Sequence, residues 1–198
     1  MTSLEFIKGH AIIYENLVPK NLCEQVVYEL NNKTFLDIYS HLINIIPKYC
    51  EGEQYVGPGK VELIKILPHN DAQIKTNKII YDHSEYDDLG NCSLCTIYVY
   101  CNDYKYYHEG KTKFYANRKK NVFLIYPNSV SYNVSAHGGN VVLFTHTIPT
   151  EEIPISTHVK YILKIKLFYT SSQEIKQQKE QKEQKEQIKD KKTVKFNI

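Results

Sequence analysis

No stretch of this chain reaches the ~20 consecutive apolar residues that a membrane-spanning helix needs, so no membrane segment is expected. The first residues, MTSLEFIKGHAIIYENL, break their apolar positions with Glu5 and Lys8 and offer no small-residue cleavage site. A secretory signal is therefore not expected, and the cytoplasm is the expected compartment. Arginine is almost missing: Arg118 stands alone among 25 basic residues. Base readers rely on the planar guanidinium fork, so specific nucleic-acid recognition is not expected either. The five cysteines, Cys23, Cys50, Cys92, Cys95 and Cys101, are odd in number and scattered, so a disulfide framework is not expected and they read as structural or bystander residues. CSLC at 92–95 has redox spacing but runs into the strand-like TIYVY, whereas a catalytic thiol pair opens a helix. Zinc needs further ligands at matching spacing, and no second CxxC exists.

What is present reads as one ordinary globular domain. With 198 residues the chain is long enough to bury a core, and 42% hydrophobic with 24% charged residues is the usual soluble balance. The net charge of +3 sits in residues 171–198, where lysines outnumber acids by the same margin. That segment opens with SSQEIKQQKEQKEQKEQIKDKK; it is low-complexity and nearly free of apolar residues. It is expected to be a disordered tail, because it cannot bury enough surface to offset ordering entropy. The domain is thus expected at 1–170.

Within it, Ala11 to Tyr14 reads as a short strand. A helix comes after Pro19, with Asn21 as its expected N-cap, Glu24 three residues on, and Leu22, Val26, Val27 and Leu30 on one face. TFLDIYSHLINII is a second helical stretch, with Phe35, Ile38, Leu42 and Ile45 at helical spacing before Pro47. EGEQYVGPGK reads as a loop. From Val61 onward the segments VELIKIL, KIIY, CTIYVYC, TKFY, NVFLIY, NVVLF and VKYILKIKLFY are short, β-branched and aromatic, and separated by turns. Helices followed by a run of strands predict a mainly β (α+β) fold: a double-stranded β-helix, or jelly roll, buttressed by N-terminal helices.

IIYDHSEYDDLGNCSLCTIYVYCNDYKYYHEGKTKFY resembles a metal motif, a tyrosine-bearing strand and the turn YLND…GGxTxFY. NVVLFTHTIPTEEIPISTHVKYILKIKLFY resembles the ending G-x-x-x-x-F…H-E-G-x-P-V-x-x-G-x-K-Y-x-L, with Phe144, Glu151, Pro154, Lys160, Tyr161 and Leu163 in register. Both patterns belong to the Fe(II)/2-oxoglutarate dioxygenases, in their prolyl 4-hydroxylase-like branch, and the resemblance runs from about Ala11 to Tyr169. It implies Fe(II) and 2-oxoglutarate as the family's cofactors, with iron held by two histidines and a carboxylate. It implies that Lys160 pairs with the far carboxylate of the keto-acid, and that Tyr98 and Tyr100 flank it. Thr96, Tyr98 and Tyr100 alternate onto one face of their strand, the inner one.

Two positions depart from the pattern. The first histidine is matched by His83, but Glu85 replaces its aspartate partner, which displaces the carboxylate by about a bond length where coordination tolerates ~0.2 Å. The second histidine is replaced by Thr150, whose neutral hydroxyl is a poor Fe(II) ligand. Other drawings of the triad use the H-x-D of His69 and Asp71, much further upstream of Thr96, or His146, four residues before Thr150. His158 falls where the family has glycine and reads as a turn residue.

The function expected is therefore that of a prolyl-4-hydroxylase-like fold, impaired in catalysis and acting by binding a protein or peptide partner. Inactive copies of this fold occur in the family, including in large DNA viruses, and the Ile, Lys, Asn and Tyr usage is compatible with such an A+T-leaning genome. One alternative is an active peptidyl hydroxylase using His83, Asp71 or Glu85, and His146. Another is a cupin-like small-molecule binder. Peptide choice in this fold is set by the mouth loops, here Asn70 to Asn77 and Tyr104 to His108.

Overall fold

The computed structural model describes residues 2–68, 79–80, 82, 84–103, 110–116, 130–155 and 157–170. The expected strand in NVFLIY, both mouth loops and the 171–198 tail lie outside the described residues. None of the described helices is long and apolar enough to cross a membrane.

Among the described residues, eleven strands form two antiparallel sheets. The larger has seven strands: β1 (Thr2–Ile7), β2 (Ala11–Glu15), β3 (Tyr49–Cys50), β4 (Glu53–Ile66), β6 (Cys92–Tyr100), β9 (Val141–Thr145) and β11 (Lys160–Thr170). Their order is β1-β2-β9-β6-β11-β4-β3. The smaller holds β5 (Ile79–Ile80), β7 (Thr112–Ala116), β8 (Val130–Val134) and β10 (Thr150–Glu152), in the order β5-β10-β7-β8.

Side-chain alternation divides the core in two. Ile97, Val99, Leu143, Leu163, Ile165 and Leu167 leave the large sheet on one side and pack against Cys23, Val26, Ile38 and Leu42 of the helices. These helices are α1 (Lys20–Tyr28) and α2 (Asn32–Leu42). On the other side Tyr98, Tyr100, Val142, Phe144 and Ile162 meet Phe114, Val134 and Ile155, so the two sheets close over a second core. The helix-buttressed jelly roll expected from the sequence is the fold.

Three local features differ from the sequence reading. Pro19, not Asn21, caps α1, with φ −57 and ψ 137 and no side-chain cap bond. Its carbonyl accepts from the Leu22 and Cys23 amides, and its missing N–H forfeits nothing at a helix start. In α2 the cap is Asn31, whose side chain accepts from the Thr34 amide at 2.9 Å. The EGEQYVGPGK segment is not a loop but most of β4's first half. β4 pairs with β11 through irregularities at Pro58, and β3 covers only Glu53 and Gln54, so Pro58 lies on a sheet edge. Gly59 is needed there, because a Cβ would overlap the Phe168 ring. Finally, β1 adds a strand ahead of Ala11, joined to β2 through Gly9 at φ 72.

Candidate functional site

The inner face of β11 carries Lys160, Ile162, Lys164 and Lys166 at alternate positions. Ile162, Lys164 and Lys166 stand opposite Tyr100, Tyr98 and Thr96 of β6. Three buried ammonium groups thus project into the space between the sheets. Burying a cation is costly unless it is paired and hydrogen-bonded, and each of the three is.

Lys160 is completely buried. Its Nζ donates to the Gly110 carbonyl (2.9 Å), the Thr112 hydroxyl (3.0 Å) and Glu152 Oε2 (2.5 Å). Thr112 also accepts from the Tyr100 phenol at 2.9 Å and donates to Glu152 at 2.9 Å. The ammonium lies 5.3 Å from the Tyr100 ring centroid. Burial pulls the Lys160 ammonium below the ordinary lysine range, and the Glu152 carboxylate works against that.

A second cluster lies further along β11. Lys164 Nζ is 2.5 Å from Asp82 Oδ1, and Lys166 Nζ is 2.6 Å from Glu85 Oε1 and 3.8 Å from Asp82. The segment bearing Glu85 is stitched to β6: the Glu85 amide donates to Ser93 Oγ and the Ser93 amide to the Glu85 carbonyl. Thr96 donates to Asp82 Oδ2 at 3.0 Å and stands 2.9 Å from His146 Nε2. With the threonine proton committed to Asp82, Nε2 must carry the imidazole proton. Nδ1 is then a buried lone pair, without a hydrogen-bond partner among the described residues. His146 is placed by its amide, which donates to the Leu94 carbonyl just past β9.

The charges shape one another. Burial would push the Asp82 carboxyl up; the Lys164 hydrogen bond and charge, with His146 and Thr96, override this and hold it below the usual carboxylate range. The Lys166 ammonium holds half-exposed Glu85 low as well. Burial brings the His146 imidazole down to about 4; Asp82 opposes that, and Lys166 and Lys164 reinforce it.

Tyr98, Tyr100 and Lys160 face the same interior, as the strand alternation predicts. Tyr100 joins the Lys160 network, while Tyr98 packs on Phe144 with ring centroids 4.9 Å apart. Thr150 is buried in β10, paired across the ladder with Phe114 and Ile80. His158 sits at φ 58, the left-handed region that favours glycine, as expected of a turn residue at a family glycine. His69, Asp71 and His83 lie outside the described residues. Among the described residues, no three His, Cys, Asp or Glu side chains gather as a metal site would require.

Sequence reasoning missed Asp82, Lys164, Lys166 and Glu152. A signal for the lysines was present, since KYILKIK spaces all three at even intervals on one strand face. Glu152 stands at the glycine of the H-E-G pattern, visible once that pattern is laid on the chain.

No family model matches the chain, and no curated protein does. Solved structures do. A truncated viral collagen prolyl hydroxylase from Paramecium bursaria Chlorella virus-1 superposes with a TM-score of 0.54 at 11% identity, covering 86% of this chain and 96% of its own. A prolyl-4-hydroxylase from Pseudomonas putida gives 0.51 at 12% identity, covering 82% and 89%. The chain has the jelly-roll fold of the prolyl hydroxylases.

Proposed function

We propose that this chain is a prolyl-4-hydroxylase-fold protein that has lost iron-dependent hydroxylation and acts by binding a protein or peptide partner. The observation that carries the reading is the pairing of Asp82 and Glu85 with the ammonium groups of Lys164 and Lys166. The fold implies Fe(II) and 2-oxoglutarate, and the described residues do not fit the metal. A divalent cation against Glu85 would lie beside Lys166, and like charges at 4 Å repel by about 4 kcal/mol per unit pair at an effective dielectric of ~20. Thr150, buried in β10, offers only a neutral hydroxyl, a poor Fe(II) ligand.

The test is an anaerobic titration of the purified chain with Fe(II) or Mn(II), with and without 2-oxoglutarate. No stoichiometric retention and no metal-to-keto-acid absorption band are expected. Retention with the band would reverse the reading. A proline-rich, collagen-like peptide is the probe for binding; it is expected to bind metal-free protein without being hydroxylated.

One observation favours the second reading, a working oxygenase that uses His146. Its Nδ1 is a buried lone pair without a hydrogen-bond partner among the described residues, a nitrogen able to accept a Lewis acid. The same titration on His146→Gln separates the two: metal retention lost in that variant belongs to the enzyme reading.

A further inference from the structure

We infer that Glu152 is a built-in occupant of the Lys160 socket, a side-chain carboxylate held where this fold would otherwise receive the far carboxylate of a dicarboxylate ligand. The inference rests on the fold position assigned to Lys160. It does not depend on whether iron binds.

The socket is saturated from within. An ammonium has three N–H donors, and those of Lys160 are taken by Gly110, Thr112 and Glu152. Glu152 Oε1 also receives the Thr112 hydroxyl, while the Thr112 oxygen accepts from Tyr100. Lys160, the group expected to grip an incoming carboxylate, already grips this one, with the Thr112 hydroxyl beside it.

The backbone enforces the placement. Glu152 pairs with Thr112 across the β10–β7 ladder, and Thr150 pairs with Phe114. Alternation turns Thr150 and Glu152 inward together, while Glu151 faces Lys113 and Tyr115 on the other side. A strand fixed in this register delivers the Glu152 side chain to Lys160 without adjustment.

The chemistry of the arm matches the ligand it displaces. Beyond its Cα, glutamate is a two-methylene chain ending in a carboxylate. 2-Oxoglutarate carries the same two-methylene carboxylate arm beyond its keto carbon. Glycine, which the resembled pattern has at this position, leaves that volume open; Glu152 fills it with a covalently tethered copy of the arm. The tether also removes the translational entropy cost that a free ligand bears on binding.

The experiment is a thermal-melt series in EDTA, so that metal plays no part. The native chain's Tm is expected to stay unmoved by 2-oxoglutarate or glutarate at millimolar concentration. Glu152→Gly should lower Tm by about 10 °C, because it strands a buried ammonium. The same dicarboxylates should recover much of that loss, and Glu152→Gly combined with Lys160→Met should not respond to them. If Glu152→Gly does not fold alone, refolding from urea with glutarate is expected to yield soluble monomer. The inference is overturned if native protein is stabilised by 2-oxoglutarate in a manner abolished by Lys160→Met. It is equally overturned if Glu152→Gly, folded or refolding, ignores both dicarboxylates. Iron retention by the native chain would defeat the proposed function and leave these results standing.

Discussion

His146 and Thr96 meet at 2.9 Å between Nε2 and Oγ1, and through that hydroxyl the imidazole is linked to Asp82. The link makes His146 part of a closed polar network whose other end is an ammonium, Lys164. In this barrel, charges and hydroxyls contributed by the chain itself occupy the interior. An interior of this kind needs no bound ligand to be stable, but it is sensitive to the protonation of its members.

The first consequence is a pH dependence. His146 titrates at about 4 in the folded chain, against about 6.5 for an unperturbed imidazole. Between those values the unfolded chain binds a proton that the folded one refuses, so stability falls as pH drops through that window. The loss should reach about 3 kcal/mol by pH 4. Asp82, whose folded value is also depressed, acts in the same direction lower down: its contribution is complete above the unfolded carboxylate value and is lost as pH falls through the folded one. Urea unfolding at pH 7 and pH 4.5 measures the slope. His146→Gln should flatten it, and an unchanged slope in that variant would refute the assignment.

The Lys164–Asp82 pair gives the second. Among the described residues, Lys164→Met leaves Asp82 buried with Thr96 and with Lys166 at 3.8 Å. Breaking one partner of a buried pair costs about 3–5 kcal/mol, and the residual contacts put this case near the lower figure. Asp82→Asn in the same chain should return a large part of the loss, because the uncompensated charge is gone. Urea midpoints of the four-member cycle decide it; additive single losses would mean that the two groups do not interact.

The sequence disclosed the elements whose periodicity is set by burial alone. β6, β9 and β11 are legible because every second residue faces an apolar neighbour, and both helices show an apolar face. β4 was not, since its Gly57-Pro58-Gly59 run carries loop chemistry that long-range pairing with β11 overrides. At the site, the inward direction of Tyr98 and Tyr100 was legible from strand alternation, while Lys160 was singled out only by the resemblance. Asp82 was not, because its role depends on Lys164, far away in sequence and brought near only by sheet closure. Cys92 and Cys95 share a CxxC but, three apart on one strand, their side chains leave opposite faces; Cys95 meets Cys50 instead.

Gly139 supports the third prediction. It sits at φ 90, donates to the Tyr100 carbonyl, and accepts from the Val18 amide, so it joins the end of β6 to the entry of α1. A Cβ there would collide with the Val18 carbonyl oxygen, a backbone atom that cannot swing aside. Gly139→Ala should cost about 3 kcal/mol or more, combining left-handed strain with the clash. Gly57→Ala is the control: nothing lies within 4 Å of its added Cβ, and its φ is ordinary. Equal midpoints for the two variants would count against the geometry.

The thiols of Cys50 and Cys95 lie 3.4 Å apart with no bond between them, and closing a disulfide requires about 2.05 Å. The two sulfurs differ in character. Cys50, half-buried on the short β3, is held below the ordinary thiol value by the hydrogen bond from Cys95; Cys95 is pushed up by that same contact and by burial. Cys50 is also the more exposed of the two, Cys95 being almost fully buried, so a disulfide in solution reaches Cys50 first. Treated with excess glutathione disulfide, it should form a mixed disulfide, which Cys95 then resolves, leaving a Cys50–Cys95 bridge and two reduced glutathiones. Mass spectrometry of alkylated peptides should find that bridge in the native chain. In Cys95→Ser the glutathione adduct should persist on Cys50, and in Cys50→Ser neither product should form at this pair. An adduct that accumulates unresolved in the native chain would mean that the sulfurs cannot close the remaining distance.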